Sequence, residues 1–205
     1  MLGLLFRDPL AFLLLALPLL YSVVVHELAH GWVAALLGDP TARSLGRLSI
    51  RPWRHLDPLG TLLLFVAGFG WARPVPVNLG NLRHQRAGLV LVSAAGVTAN
   101  TLVAFLAILL YRLLVPSPSG VLTAVLLSLA QVNVALAAFN LIPLPPLDGS
   151  KIVMGLSPSG VRRALSRLEP YGLLVIVALL YLDVLDPVIK AFRWALLLLI
   201  DGLLP

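Results

Sequence analysis

Three side chains with the spacing of a metal site lie inside an apolar stretch near the start of the chain. The sequence there reads His26-Glu27-Leu28-Ala29-His30. Residues four apart share one face of a helix, so the imidazoles of His26 and His30 can reach one ion. Glu27 follows directly and can hold a water molecule on that ion and accept its proton. The pattern therefore predicts a zinc centre that activates water.

The surroundings of the motif favour this interpretation. Within residues 9–37 only four side chains are ionisable: Tyr21, His26, Glu27 and His30. A charged residue at the centre of a bilayer costs about 2.5–3.5 kcal/mol on insertion scales, so the cluster needs a compensating interaction. Two histidines and a glutamate satisfied by neighbouring helices are the alternative. A bound metal is favoured because it satisfies all three polar groups at once.

The composition is that of an integral membrane protein. The chain has 205 residues, of which 60% are hydrophobic and 12% charged, and its mean hydropathy is +0.98. Soluble domains average about 45–50% apolar and 25% charged residues. We expect an all-α polytopic bundle that forms one domain over residues 1–205, with a core at 9–155 and C-terminal helices at 170–205. The polar stretches are too short for a peptide-binding domain.

The basic residues indicate orientation in the membrane. The net charge is +6, but the arginines flank apolar runs, where they orient the chain and contact anionic lipid, so no nucleic-acid partner is expected. The densest basic loop, residues 41–54, predicts that the active site faces the cytoplasm. The absence of cysteine excludes disulfides and cysteine-ligated zinc. The N-terminus does not read as a cleaved signal peptide.

The apolar stretches predict about five transmembrane helices. They cover residues 9–37, 87–115, 121–142, 171–185 and 188–204. About 20 apolar residues cross the ~30 Å hydrocarbon core as a helix, and the first three stretches reach that length. Charged residues break the last two, which predict short or tilted helices. The last one could lie at the membrane interface instead.

The segment near 56–78 has a different pattern. Its apolar run reaches only to about Gly70, which is too short to span the membrane as a helix. We expect a re-entrant segment or a β-hairpin that enters from the cytoplasmic side. Beside the metal, an edge strand over residues 62–78 would bind or gate an extended substrate.

A catalytic zinc usually has three protein ligands and one position for water, so a third ligand is needed. The candidates are Asp148, Asp57, His55 and Glu169. Asp148 is favoured because it follows three prolines in four residues, which end a helix, and lies at the predicted depth of the histidines. Asp57 with Pro58 can instead cap or turn the chain, His55 can lie at the interface, and Glu169 can be a solvated or capping residue.

Together these residues resemble the site-2 protease family of intramembrane zinc metalloproteases. His26-Glu27-Leu28-Ala29-His30 is followed, more than a hundred residues later, by Asn140-Leu141-Ile142-Pro143-Leu144-Pro145-Pro146-Leu147-Asp148-Gly149. The segments that carry a further resemblance are His55-Leu56-Asp57-Pro58-Leu59-Gly60-Thr61 and Gly70-Trp71-Ala72-Arg73-Pro74-Val75-Pro76-Val77-Asn78. They are similar to those of the small bacterial and archaeal branch without a PDZ domain, which implies a prokaryotic cell membrane. The resemblance covers about residues 20–155.

The resemblance implies a site and a reaction. His26, His30 and Asp148 would hold one Zn²⁺, Glu27 would be the general base, and Asn140 would bind substrate or oxyanion. We also expect polar side chains behind the metal or at a gate, for which the candidates are His55, Asp57 and Asn100. The implied substrate is a transmembrane protein within the lipid bilayer; the oligomeric state is open.

Two other classes of protein are alternatives to a protease. A membrane metal transporter would carry metal-binding side chains at several depths, whereas here they cluster on one side. A non-catalytic scaffold derived from a protease would have lost Glu27 or a ligand, and none is lost.

Overall fold

The computed structural model describes residues 2–67, 70–114 and 120–204. Within those ranges the chain forms helices, short 3₁₀ turns and no β-strand. The helices are α1 Leu2–Arg7, α2 Pro9–Leu36, α3 Thr41–Ser44, α4 Pro58–Ala67, α5 Gln85–Leu114, α6 Val121–Asn140, α7 Asp148–Leu156, α8 Ser159–Leu168, α9 Gly172–Tyr181 and α10 Asp186–Leu203. The expectation of an all-α protein is therefore confirmed for the described residues.

Four helical stretches among the described residues are long and apolar enough to cross a membrane. They are Pro9–Leu36, Gln85–Leu114, Val121–Asn140 and Ser159–Tyr181, the last combining α8 and α9. The fifth expected helix, α10, has 18 residues but includes four charged side chains, so it does not meet the same criterion. It nevertheless packs against α6 through Leu196 and Ile200.

The core consists of α2, α5 and α6, which pack against one another. Small side chains let helix backbones approach closely in membrane proteins, and Ala104, Ala137 and Ala138 are fully buried between α5 and α6. Polar contacts join the same helices. The Asn133 carboxamide on α6 donates a hydrogen bond to Ser22 Oγ on α2 at 2.7 Å.

The chain between α6 and α7 places a carboxylate against this core. Prolines end α6 at Asn140, because proline has no amide hydrogen and clashes with the preceding turn. The turn returns closely on itself: a Cβ at Gly149 would overlap the carbonyl of Leu141, so a residue with a side chain does not fit there. Helix α7 begins at Asp148 and packs on α5.

The predicted β-hairpin near 56–78 is not what the structure shows. Residues 58–67 form helix α4, which also replaces the first part of the expected edge strand. The helix forms because Asp57 accepts a hydrogen bond from the Gly60 amide at 2.8 Å and Pro58 occupies the first turn, a favourable N-terminal arrangement. The β pairing among the described residues is one antiparallel bridge between Leu56 and Ala72. Gly68 and Phe69 lie outside the described residues.

Candidate metal centre

Three candidate ligands meet in the buried core. His26 and His30 lie one turn apart on α2, and their Nε2 atoms are 3.0 Å apart. Asp148 Oδ2, at the start of α7, lies 3.1 Å from each Nε2. The exposed fractions of the three residues are 7%, 8% and 5%. Among the described residues, these three side chains form a group that could hold a metal ion.

The geometry of this group fits a zinc ion. Ligand atoms at about 2.0–2.1 Å in a tetrahedral site lie about 3.3 Å from one another, close to the separations observed here. Asp148 Oδ2 is buried and makes no hydrogen bond to any described residue, although it lies between two imidazoles. A shared cation would stabilise two imidazole nitrogens and a carboxylate oxygen that converge in a buried site.

The carboxylate is ionised, as a metal ligand must be. Burial by itself raises the pKa of the Asp148 carboxyl. The imidazoles of His26 and His30, which lie against the carboxylate, lower that pKa by more, so it lies well below the usual range. Asp148 therefore presents a negative charge to the two imidazoles.

Helix α5 holds the histidines from behind. His30 Nδ1 lies 2.7 Å from the carbonyl oxygen of Val92. A carbonyl only accepts, so Nδ1 carries the hydrogen and Nε2 keeps its lone pair for a metal. Gly96, one turn further along, touches both rings: a Cβ there would lie 2.5 Å from His26 Cε1 and from His30 Nε2. The sequence analysis did not identify Val92 or Gly96.

Glu27 is half-buried beside this group and has a main-chain partner. Its Oε2 accepts a hydrogen bond from the Val75 amide at 2.7 Å. Val75 lies in a non-helical segment, residues 72–78, which we call the strap. The Arg47 guanidinium donates to the Arg73 and Pro74 carbonyls of the strap at 2.8 and 3.2 Å.

The other end of the strap is fixed by Asp39. This fully buried carboxylate accepts hydrogen bonds from the Asn78 amide, from the Asn81 carboxamide, and from the amide and hydroxyl of Thr41. Burial raises the pKa of Asp39, but the hydrogen bonds from Thr41, Asn81 and Asn78 lower it by more, so it lies below the usual value of 3.8. Neither Asp39 nor Arg47 was a candidate in the sequence analysis.

The remaining candidates have other partners. Asn140 donates from Nδ2 to the Leu136 carbonyl of its own helix at 3.0 Å. His55 is buried, and its Nε2 lies 2.7 Å from the Ser49 carbonyl oxygen. Asp57 caps α4, and Glu169 is exposed. Of the four candidates for the third ligand, Asp148 is the one that joins the histidines.

Asn100 lies in the core without a described partner. It is on α5, one turn beyond Gly96, and is fully buried. Neither atom of its carboxamide makes a hydrogen bond to a described residue, and the same holds for His26 Nδ1. Both groups are polar, buried and on the α5 side of the site.

Comparison with known proteins identifies relatives of this chain. The sequence profile of Peptidase family M50 matches residues 116–182, which include Asn140 and Asp148. A Bacillus subtilis protein, "Putative zinc metalloprotease YwhC", is 42% identical over 200 residues, which are 92% of this chain and 91% of that protein. Two proteins with the description "Putative zinc metalloprotease Rip2" are also similar. The one from Mycobacterium tuberculosis is 31% identical over 78% of this chain and 63% of its own length. The one from Mycolicibacterium smegmatis is 29% identical over 85% of this chain and 69% of its own length.

No solved structure matches the chain significantly. The family assignment therefore depends on the sequence relatives. Identity of 42% over nine tenths of both chains is decisive, and this protein belongs to peptidase family M50, the site-2 protease family of zinc metalloendopeptidases.

Proposed function

We propose that this protein is an intramembrane zinc metalloprotease that cleaves a peptide bond within or near the transmembrane segment of a membrane-protein substrate, in regulated intramembrane proteolysis. The observation that carries the proposal is the buried group of His26, His30 and Asp148, next to Glu27, on and against a membrane-length helix. A soluble peptidase would not need its metal-binding side chains on a helix of this length and apolarity.

His26, His30 and Asp148 are the proposed ligands of one zinc ion per chain. Zinc in such a site polarises a carbonyl group and lowers the pKa of a bound water to about 7. The chain's own contribution is to hold the three ligand atoms in place. The Val92 carbonyl fixes the tautomer of His30, and Gly96 leaves room for both rings.

Glu27 is the proposed general base. Its carboxylate would accept the proton of the attacking water and later deliver it to the leaving amine. The substrate helix must unwind locally to expose a carbonyl group. Asn140 is the proposed donor to the substrate or to the developing oxyanion, and its carboxamide would leave the Leu136 carbonyl to take this role.

Asn100 is the proposed outer partner of His26. Ligating histidines usually donate their second ring N–H to an oxygen acceptor. His26 Nδ1 and the Asn100 carboxamide are both buried without a described hydrogen-bond partner, and Asn100 lies one turn from Gly96, which touches the His26 ring, so a bridging water is the proposed link between them. For His55 and Asp57, hydrogen bonds to Ser49 and Gly60 support a role in shaping the gate around α4.

The orientation is part of the proposal. Four helices that are long and apolar enough to cross a membrane support an integral membrane protein. We place it in a prokaryotic cell membrane with the site toward the cytoplasm, because the arginine-rich residues 41–54 follow the end of α2 that carries His30. A transporter is disfavoured because the described residues hold one metal-binding group and not a series across the bilayer.

The test is zinc content and cleavage measured on the same detergent-purified samples. We expect wild type to hold about one zinc and to cleave a test transmembrane substrate. Glu27→Gln should keep its zinc and be inactive, and Asp148→Ala should lose zinc. Glu169→Gln and Asp186→Ala, both at exposed positions, are matched controls that should behave like wild type. Wild type without zinc, or an active Glu27→Gln, would overturn the proposal.

A further inference from the structure

The strap has unusual main-chain chemistry. Its centre reads Pro74-Val75-Pro76, and proline has no amide hydrogen. Val75 is therefore the one residue of these three that can donate from its main chain, and its donor goes to Glu27 Oε2. The flanking prolines also restrict the backbone, so the amide loses little conformational freedom when it forms this bond.

The Val75 amide is fixed relative to the helix that carries the histidines. Val75 is 7% exposed, and its side chain lies against α2, where a Cβ at Gly31 would be 3.0 Å from Val75 Cγ1. Gly31 directly follows His30. The donor to Glu27 and the two imidazoles are thus positioned by the same stretch of α2.

Two anchors outside the membrane-length helices hold the strap in this place. Arg47 binds the carbonyls that precede Val75, and Asp39 binds the amide of Asn78 that follows it. Asp39 is completely buried, whereas Arg47 is partly exposed. The basic loop at residues 41–54 is therefore connected to Glu27 through one segment of main chain.

We propose that the Val75 amide is a positioning group for Glu27, and that Arg47 and Asp39 keep it in position. With Oε2 held by the amide, the carboxylate has one orientation, and Oε1 is the oxygen left to take the proton. This inference rests on the proposed function, in which Glu27 is the general base. It assigns a role to a main-chain group and to two side chains that do not contact the metal group.

The hydrogen bond can be observed without activity. Glu27 and Glu169 are the only glutamates in the sequence, so a Glu169→Gln background leaves Glu27 as the sole glutamate. With ¹³C-labelled glutamate, the infrared carboxylate band of the zinc-free protein then reports Glu27 alone. Val75→Pro removes the amide hydrogen and should shift this band. Val75→Ala keeps the hydrogen and should leave the band in place.

Cleavage by the zinc-loaded variants provides the second readout. Misplacement of a catalytic group by about 1 Å costs on the order of 100-fold in rate. We expect Val75→Pro to lower kcat about 10- to 100-fold, with KM within about twofold of wild type and zinc content unchanged. Val75→Ala should keep most of the activity. A merely structural role would instead lower zinc content and thermal stability together.

Arg47→Met keeps the apolar stem of the side chain and removes its two hydrogen bonds to the strap. It therefore tests the positioning role of the strap even if Val75→Pro does not fold. We expect a shifted band and a kcat about 3- to 10-fold lower, at unchanged zinc content. An unshifted band with wild-type kcat, in Val75→Pro or in Arg47→Met, would overturn the inference. If the band and kcat are unchanged but Glu27→Gln is inactive, the inference about Val75 is refuted and the proposed function stands. If Glu27→Gln is active, both the inference and the proposed function are refuted.

Discussion

Gly96 offers a sharp test of how α5 supports the proposed metal ligands. A Cβ at this position would lie 2.5 Å from atoms of both imidazoles, whereas ordinary contact begins at 3.4 Å. Gly96→Ala therefore forces the rings to move by about 0.9 Å relative to α5. Metal–ligand distances in proteins tolerate changes of only about 0.2 Å. The rings have little freedom to adjust, because the His30 Nδ1–H is bound to the Val92 carbonyl of the same helix.

We expect Gly96→Ala to lower zinc affinity by about 10- to 100-fold, the range seen when the support of a ligand is removed, or about 1.4–2.8 kcal/mol. The zinc-free protein should still fold. Overpacking costs about 1–3 kcal/mol, but replacing glycine by alanine within a helix returns about 1 kcal/mol. Cleavage at limiting zinc should fall with the affinity and should recover in part at high zinc.

The assay is competition for zinc between the purified protein and a chelator of known affinity. Gly160→Ala in α8 is the matched control, because no atom lies within 4 Å of its added Cβ. It should leave zinc affinity unchanged. If Gly96→Ala bound zinc within about threefold of wild type, the imidazoles would not be held against α5 as described.

Three further predictions concern the elements around the site. Asp57→Ala removes the cap of α4 and should cost about 1 kcal/mol, with faster hydrogen exchange at the first amides of that helix and no change in zinc content. The pKa of Asp39 is lowered in the folded protein, so its contribution to stability is present above the usual value of 3.8 and is lost as the pH falls through the folded-state pKa. Asp39→Asn should therefore have a lower Tm than wild type at pH 7, and its Tm should fall less on acidification. Asn133→Leu should cost about 0.6–2 kcal/mol in a denaturation titration, and a double-mutant cycle with Ser22→Ala should return a coupling energy of similar size; additive effects would contradict the contact.

Local patterns in the sequence predicted much of the architecture. The apolar runs predicted α2, α5 and α6 to within a few residues of their observed ends, because a run of this length has few alternatives in a membrane. The prolines after Asn140 predicted the end of α6 for an equally local reason. Spacing of four residues placed His26 and His30 on one face, and the structure has them there.

The β-hairpin expected near 56–78 is not confirmed, because residues 58–67 form a helix. A short apolar run is compatible with a strand or a helix, and its periodicity does not separate them. The capping residues were the better signal. Asp57 and Pro58 form a helix start.

The sequence by itself determined the chemistry that is available: two histidines and a glutamate within an apolar helix, and carboxylates elsewhere that could complete a zinc site. Tertiary structure decided which groups meet. Asp148, and not Asp57, His55 or Glu169, joins the histidines because the turn at Gly149 and the packing of α7 on α5 bring it there. Contacts between residues so far apart in sequence depend on how helices pack, which no local pattern encodes. For the same reason, no local pattern indicated that Gly96 and the Val75 amide lie at the site.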